Sequence, residues 1–278
     1  MSEAVLSIDF ELFEHTPAYR SAAGTMDRDG VGLAGGEFLR KTLDDHDATT
    51  TCFVVTELLD SHPAAVDALV DAGYEIGSHT HTHRLLPSLS PDERREEITH
   101  SRARLAAATG EEIRGFRAPA FDIADDHFQA LADAGYDYDA SVVSSRKIPG
   151  WYGGEYDTHR PVPATDVAQD APAGITELPT SVMPGLRLPL TGTWLRFFGP
   201  RYTILGMRLL ARQGIAPVLY VHPWEFVDLP DVEGVPKRVY VRTGAWMRRA
   251  VERILAQPFE FTTASRILDD ARGDAGGG

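Results

Sequence analysis

The sequence predicts an α/β fold, a single domain whose parallel strands are arranged as a barrel. Three observations carry this expectation. Short apolar runs alternate with helical segments along nearly all of the 278 residues. Their number suits a barrel better than an open sheet, and histidines and acidic residues gather where the apolar runs end, which is where α/β folds bind ligands.

The elements follow in order. Val5 to Phe10 is an apolar run with Asp9 and Glu11 at its tip, and reads as a buried first strand. Residues 14–36 lack a period and contain Gly24, Gly30, Gly32, Gly35 and Gly36, which predicts a long loop before a helix over 37–45. Thr49 to Thr56 is β-branched and apolar, a second strand. Pro63 opens a helix with Val66, Leu69 and Val70 on one face, closed by Gly73 before a strand at 74–76. Ser90 and Glu93 form a capping box, with Pro91 at the first position, for a helix reaching Thr109, and Ile113 to Arg117 is a short strand. A helix over 125–134, the strand beginning at Gly135, a helix over 202–212, a strand over 217–222, a helix over 243–255 and a strand over 259–261 complete the series. Residues 144–200, rich in proline and including Trp151, Tyr152, Tyr156, Trp194 and Phe197, read as an ordered excursion, and 273–278 as a flexible tail.

Composition narrows the function classes. Hydrophobic residues make up 43% of the chain, enough for a substantial core, and no apolar run is long enough to span a bilayer. The start, Met1-Ser2-Glu3, lacks the basic head of a secretory signal, so a cytoplasmic protein without membrane insertion is expected. Cys52 is single and sits in an apolar run, which excludes an internal disulfide. With 41 acidic and 27 basic residues the net charge is -14, and only Lys41, Lys147 and Lys237 are lysines. Such a surface repels nucleic acid and anionic membranes, and its composition suits a salt-loving cell.

The chemistry centres on His79 and His83, four residues apart just after the strand at 74–76. On a helical turn this spacing puts both rings on one side, so a divalent cation site is expected. Asp9 and Glu11, two apart on an extended segment, project together, and add one carboxylate ligand and one free base. Arg117 ends another strand and is placed to keep a carboxylate ionised. His222, at the end of Val218-Leu219-Tyr220-Val221, is placed to deliver a proton.

In order along the chain, Ser7-Ile8-Asp9-Phe10-Glu11, His79-Thr80-His81-Thr82-His83, Arg117-Ala118-Pro119, Tyr138-Asp139-Ala140-Ser141 and Leu219-Tyr220-Val221-His222 resemble the five motifs of the polysaccharide deacetylases with NodB homology, carbohydrate esterase family 4. His222-Pro223-Trp224-Glu225-Phe226 and Glu177-Leu178-Pro179 look most like a subgroup found with surface-glycan genes. The resemblance implies an irregular (β/α) barrel of about seven strands over residues 1–272, removing an acetyl group, most often N-acetyl, from a sugar. It implies Asp9 as general base, His79 and His83 as ligands of a divalent metal, zinc above others, Arg117 as partner of Asp9 and His222 as general acid. The Ala120 backbone N–H would hold the oxyanion, with Pro119, Phe121 and Trp224 beside the substrate. The usual second aspartate of the first motif is replaced by Phe10, and Glu11, one place further on, takes the ligand role. Asp139 either orients His222, lines the substrate site or caps a loop, and His81 is assigned no ligand role. The substrate would be an acetylated amino-sugar glycan or a lipid- or nucleotide-linked precursor. Hydrolysis of a cyclic amide, as in the allantoinase-like branch, and glycan binding by a catalytically silent relative are the alternatives.

Overall fold

The protein is described here by a computed structural model that covers residues 1–22, 30–148 and 153–275. Gly24, Trp151, Tyr152 and residues 276–278 of the expected tail lie outside the described residues. Among the described residues nine strands form one sheet: β1 (Ser2–Phe10), β2 (Thr51–Val54), β3 (Glu75–Ser78), β4 (Gly115–Phe116), β5 (Tyr138–Asp139), β6 (Val162–Pro163), β7 (Thr176–Glu177), β8 (Val218–Val221) and β9 (Phe259–Phe261). Their order is β6-β7-β5-β4-β3-β2-β1-β8, and β9 also pairs with β1. Every pairing is parallel except β6 with β7.

The sheet curls far enough that Ser181, just after β7, donates its N–H to the Val218 carbonyl of β8 at 2.8 Å. The result is an incompletely closed barrel. Strand β1 is its spine: Ser2 to Ala4 pair with β9, and Val5 to Ile8 pair with β8. It is buried from Ala4 through Phe10, as a strand covered on both faces must be. Seven of the strands occupy the stretches read from the sequence. The other two, β6 and β7, lie in the expected excursion at 144–200, where no strand was read.

The helices are α1 (Pro17–Arg20), α2 (Leu33–Asp45), α3 (Leu58–Ser61), α4 (Pro63–Asp71), α5 (Pro91–Thr109), α6 (His127–Ala134), α7 (Gly192–Phe198), α8 (Pro200–Arg212), α9 (Ala245–Leu255) and α10 (Ala264–Ala275). α5 starts and stops where its caps require. The Ser90 hydroxyl accepts from Glu93 N–H, the Glu93 carboxylate accepts from Ser90 N–H at 2.8 Å, and Gly110 ends the helix at φ 71°.

Two expectations are corrected by packing. First, the glycine-rich stretch up to residue 36 is not all loop, since α1 and the start of α2 lie inside it. Gly35 and Gly36 disfavour a helix on propensity alone. They are there because the helix needs close approach: a Cβ on Gly35 would lie 2.0 Å from the Pro223 carbonyl oxygen, and one on Gly36 would lie 2.9 Å from Phe10. Gly35→Ala is therefore expected to destabilise the fold by about 1–3 kcal/mol through overpacking, measurable as a lower denaturant midpoint. Second, residues 264–275 form α10 where no helix was expected and the tail was placed from 273. Its apolar content is small, with Ile267 and Leu268 followed by Asp269 and Asp270.

That short apolar pair plugs the amino-terminal end of the barrel. Ile267 and Leu268 pack with Val5, Phe53, Tyr138, Leu178 and Val218 in an inner core. Ser265 N–H and Ala264 N–H donate to Glu75 and Thr51 side chains at 3.1 and 2.7 Å. Gly77 and Gly115 make room for the inner aromatics, because a Cβ at either would collide with the Phe53 or Tyr138 ring. With this end filled, the opposite end, formed by the carboxyl tips of the strands, is left for a site. No helix among the described residues is long and apolar enough to cross a membrane.

Candidate metal centre

At the tip of β1, side chains alternate as strand geometry requires. Phe10 turns toward α2, while Asp9 and Glu11 face the cleft. At the tip of β3 the chain departs from expectation. His79 to His83 is a loop, not a helical turn, with Thr80 at φ 67° and His83 at φ 56°. The Thr80 hydroxyl accepts from His83 N–H at 3.1 Å, and this local turn brings the two rings together. Glu97 of α5 fastens the loop: its carboxylate accepts the N–H groups of His81 and Thr82 at 2.9 Å each, and the Thr82 hydroxyl as well. Glu97→Ala should lower divalent-metal affinity about 10–100-fold, the usual penalty for losing support behind a ligand, as read by competition with a chromogenic chelator.

The electronic state of the two rings follows from their partners. His79 Nδ1 lies 2.7 Å from the Arg117 carbonyl and His83 Nδ1 lies 2.9 Å from the His15 carbonyl. A carbonyl only accepts, so each Nδ1 carries the proton and a neutral ring presents its Nε2 lone pair. Burial, reinforced by the nearby His83, pulls the His79 pKa down to about 4, so this ring is neutral at neutral pH. The two Nε2 atoms are 3.2 Å apart, and Glu11 Oε2 is 2.6 Å from that of His83. Burial opposes ionisation of Glu11, but the surrounding His83, His222 and His79 hold its pKa well below the usual carboxylate range.

Three buried lone pairs at these separations need a positive charge among them, either a proton or a metal ion. Glu11 Oε2 has no hydrogen-bond donor if His83 is neutral. One carboxylate oxygen and two imidazole nitrogens, all within 4.8 Å of one another, form a donor set that fits a divalent cation such as zinc. Glu11 Oε1 is held by Trp224 Nε1–H at 2.9 Å, which fixes the carboxylate's orientation. His81 points elsewhere, with Nδ1 2.9 Å from the Thr56 hydroxyl and its ring against His100.

Asp9 lies beside this cluster and is bound by Arg117 at 2.5 Å. Arg117 also donates to the Ser7 hydroxyl and the Ala140 carbonyl, both at 2.9 Å, and its guanidinium sits 4.2 Å from the Phe53 ring centroid. It is fully buried. His222 stands across the cleft, its Nε2 3.8 Å from Glu11 Oε1 and its Nδ1 3.1 Å from Glu225 Oε2. Burial works against its protonation, but the hydrogen bond and charge of Glu225, with Glu11 and Asp9, raise its pKa above the ordinary value.

Glu225 and Arg196 are the residues that sequence reasoning missed. Glu225 is in turn paired with buried Arg196 at 2.8 Å, so the order Arg196-Glu225-His222 is a continuous chain. The available signal was the spacing His222-Pro223-Trp224-Glu225, which also makes a capping box around a 3-10 turn. Asp139 is not the partner of His222. It is 3.0 Å from His127 and accepts from Ser141 at 2.6 Å, while Ser141 accepts the Ala118 N–H at 2.8 Å. Its place is behind the Ala118–Phe121 turn, whose Ala120 and Phe121 have φ of 55° and 58°.

Asp9, Glu11, His79, His83 and His222 line one cleft of about 560 Å³ with Ala120, Phe121, Tyr220 and Trp224 on its walls, a size for a small molecule or a sugar unit. Pro119 is buried beneath that wall. Four of the seven non-glycine residues with positive φ among the described residues, Thr80, His83, Ala120 and Phe121, surround the cleft, a concentration of backbone strain typical of functional sites.

Residues 37–138 match the family model for polysaccharide deacetylase, and residues 141–269 match a domain of unknown function, DUF3473. Among solved structures, a Mycobacterium smegmatis protein assigned to the polysaccharide deacetylases is 20% identical, with a TM-score of 0.70 over 99% of this chain and 92% of that one. An allantoinase is 20% identical, with a TM-score of 0.58 over 84% and 70% of the two chains. A carbohydrate esterase family 4 pseudoenzyme from Bacillus anthracis is 14% identical, with a TM-score of 0.52 over 86% and 62%. At these identities the structures speak for the fold alone. The two family matches divide one continuous sheet, since β7, β8 and β9 fall in the second and pair with strands outside it. The chain thus carries a polysaccharide deacetylase domain match over residues 37–138, and its DUF3473 region completes the same barrel.

Proposed function

We propose that this protein is a metal-dependent hydrolase that removes an acetyl group, N-acetyl in preference to O-acetyl, from a sugar of a glycan or glycan precursor. The observation that carries the reading is the convergence of Glu11 Oε2, His79 Nε2 and His83 Nε2 beside Asp9 in a cleft that also holds His222. A divalent cation held by these three residues would supply Lewis acidity, lowering the pKa of water so that a base can deprotonate it near neutral pH. Asp9, oriented by Arg117, accepts the proton of the attacking water. The Ala120 N–H, on the cleft wall, is assigned to the developing oxyanion. His222, oriented by Glu225, whose charge favours the protonated ring, gives its proton to the departing amine nitrogen. Trp224 and Phe121 offer aromatic faces to the sugar ring.

The test is elemental analysis of protein purified without chelator, followed by acetate release from acetylated amino sugars. Wild type should carry close to one divalent ion per chain, and Glu11→Ala and His83→Ala should each lose it together with turnover. A metal-free wild type that takes up none would overturn the assignment and leave glycan binding by a silent relative. The shared fold with an allantoinase supports a second reading, cyclic-amide hydrolysis, and ring opening in place of acetate release would identify it.

A further inference from the structure

Although the net charge is -14, no Asp or Glu occurs between Glu177 and Glu225. Within that interval α8 carries Arg201, Arg208 and Arg212 and no carboxylate. At 3.6 residues per turn, Arg201, Leu205, Arg208 and Arg212 fall within about 60° of arc, so they form one outer face. All four are exposed. The apolar surface gathers at the same corner. Among the described residues, the exposed large hydrophobics other than Met1 are Leu186 at 55%, Phe198 at 50%, Leu205 at 52% and Val241 at 37%. Phe198 ends α7 and packs its ring on Tyr202 of α8, and Tyr202 OH reaches the Leu188 carbonyl beside Leu186. Arg196 ties the Val241 carbonyl to α7, and Arg242 donates to the carbonyls of Arg196 and Phe197.

This corner is continuous with the cleft rim. Thr193 of α7 and Val239 both line the cleft, and Arg196 bonds the Val239 carbonyl at 2.7 Å. We propose that the α7–α8 corner docks the protein on a bilayer surface bearing anionic headgroups, with the cleft mouth at headgroup level. Arginines interleaved with exposed large apolar side chains on a short helix are the chemistry of interfacial binding. An isologous dimer through this face would set arginine against arginine, which disfavours a second copy as occupant. Carboxylates elsewhere on the molecule are screened beyond a Debye length of about 8 Å at physiological salt, so the local positive charge governs docking. Resting on the deacetylase reading, the consequence is a lipid-linked glycan as substrate.

Co-sedimentation with vesicles tests the docking by itself. Wild type should bind vesicles of phosphatidylcholine with phosphatidylglycerol, bind phosphatidylcholine alone weakly, and be released by salt. Arg201→Glu/Arg212→Glu should lose at least roughly fivefold in partition for each arginine reversed. Phe198→Ser/Leu205→Ser should lose binding by the separate apolar route. Arg201→Glu/Arg212→Glu changes exposed side chains only and its thermal unfolding should match wild type, whereas Phe198→Ser/Leu205→Ser also gives up the ring contact with Tyr202 and should remain cooperatively folded at the assay temperature. Absence of binding to the anionic vesicles, or equal binding by wild type and both variants, overturns the proposal. So does wild-type self-association, abolished by Phe198→Ser/Leu205→Ser, in the absence of vesicle binding. Vesicle binding that persists in a protein without deacetylase turnover would sink only the enzymatic reading.

Discussion

Asp9→Asn is expected to lower turnover by about 10²–10⁴-fold while leaving the metal content at the wild-type level. The amide keeps the shape of the side chain but accepts no proton from water. Glu11, His79 and His83 make the donor set without it, so binding and chemistry separate. Metal analysis and acetate release on the same preparation decide the matter. Full turnover in Asp9→Asn would remove Asp9 from the proposed role, and loss of metal would make it a ligand. His79→Ala is the contrasting variant and should lose both properties at once.

Arg117→Met should cost about 3–5 kcal/mol of folding stability, because it leaves the Asp9 charge buried without its partner. Asp9 is 2% exposed and Arg117 is 0% exposed. Water cannot replace the lost guanidinium, which also satisfies Ser7 and the Ala140 carbonyl. The double variant Asp9→Asn/Arg117→Met removes the orphan charge, so it should recover part of that stability and none of the turnover. Denaturant titration of the four proteins closes the cycle. Additive losses would show that the pair is not energetically coupled.

The motif residues were legible because each sits where an apolar run ends. Strand alternation alone put Asp9 and Glu11 on one side and Phe10 on the other, and the structure keeps that division. The histidines were legible as a pair, but the geometry joining them was not. A helical turn and a loop with two left-handed residues both satisfy a spacing of four. Glu97, 14 residues beyond His83, decides between them by binding the loop's own N–H groups. Asp139 shows the same limit. A motif places it near the site, yet whether it meets His222 or His127 depends on how β5 lies against α6, and no local pattern encodes that.

What the sequence determined by itself was local: strand and helix periods, caps such as Ser90 with Glu93, the order of the reactive residues and the overall acidic charge. What only the tertiary structure decided was convergence. The partner of His222, the inward turn of His79 and His83, the glycine contact of α2 with Pro223 and the capping of the barrel by α10 all join residues through packing. The physical reason is that periodicity reports which face of an element is buried, whereas contacts between elements depend on the curl of the sheet. Here Glu11 and Trp224 are 213 positions apart and share a hydrogen bond, which the curled sheet makes possible.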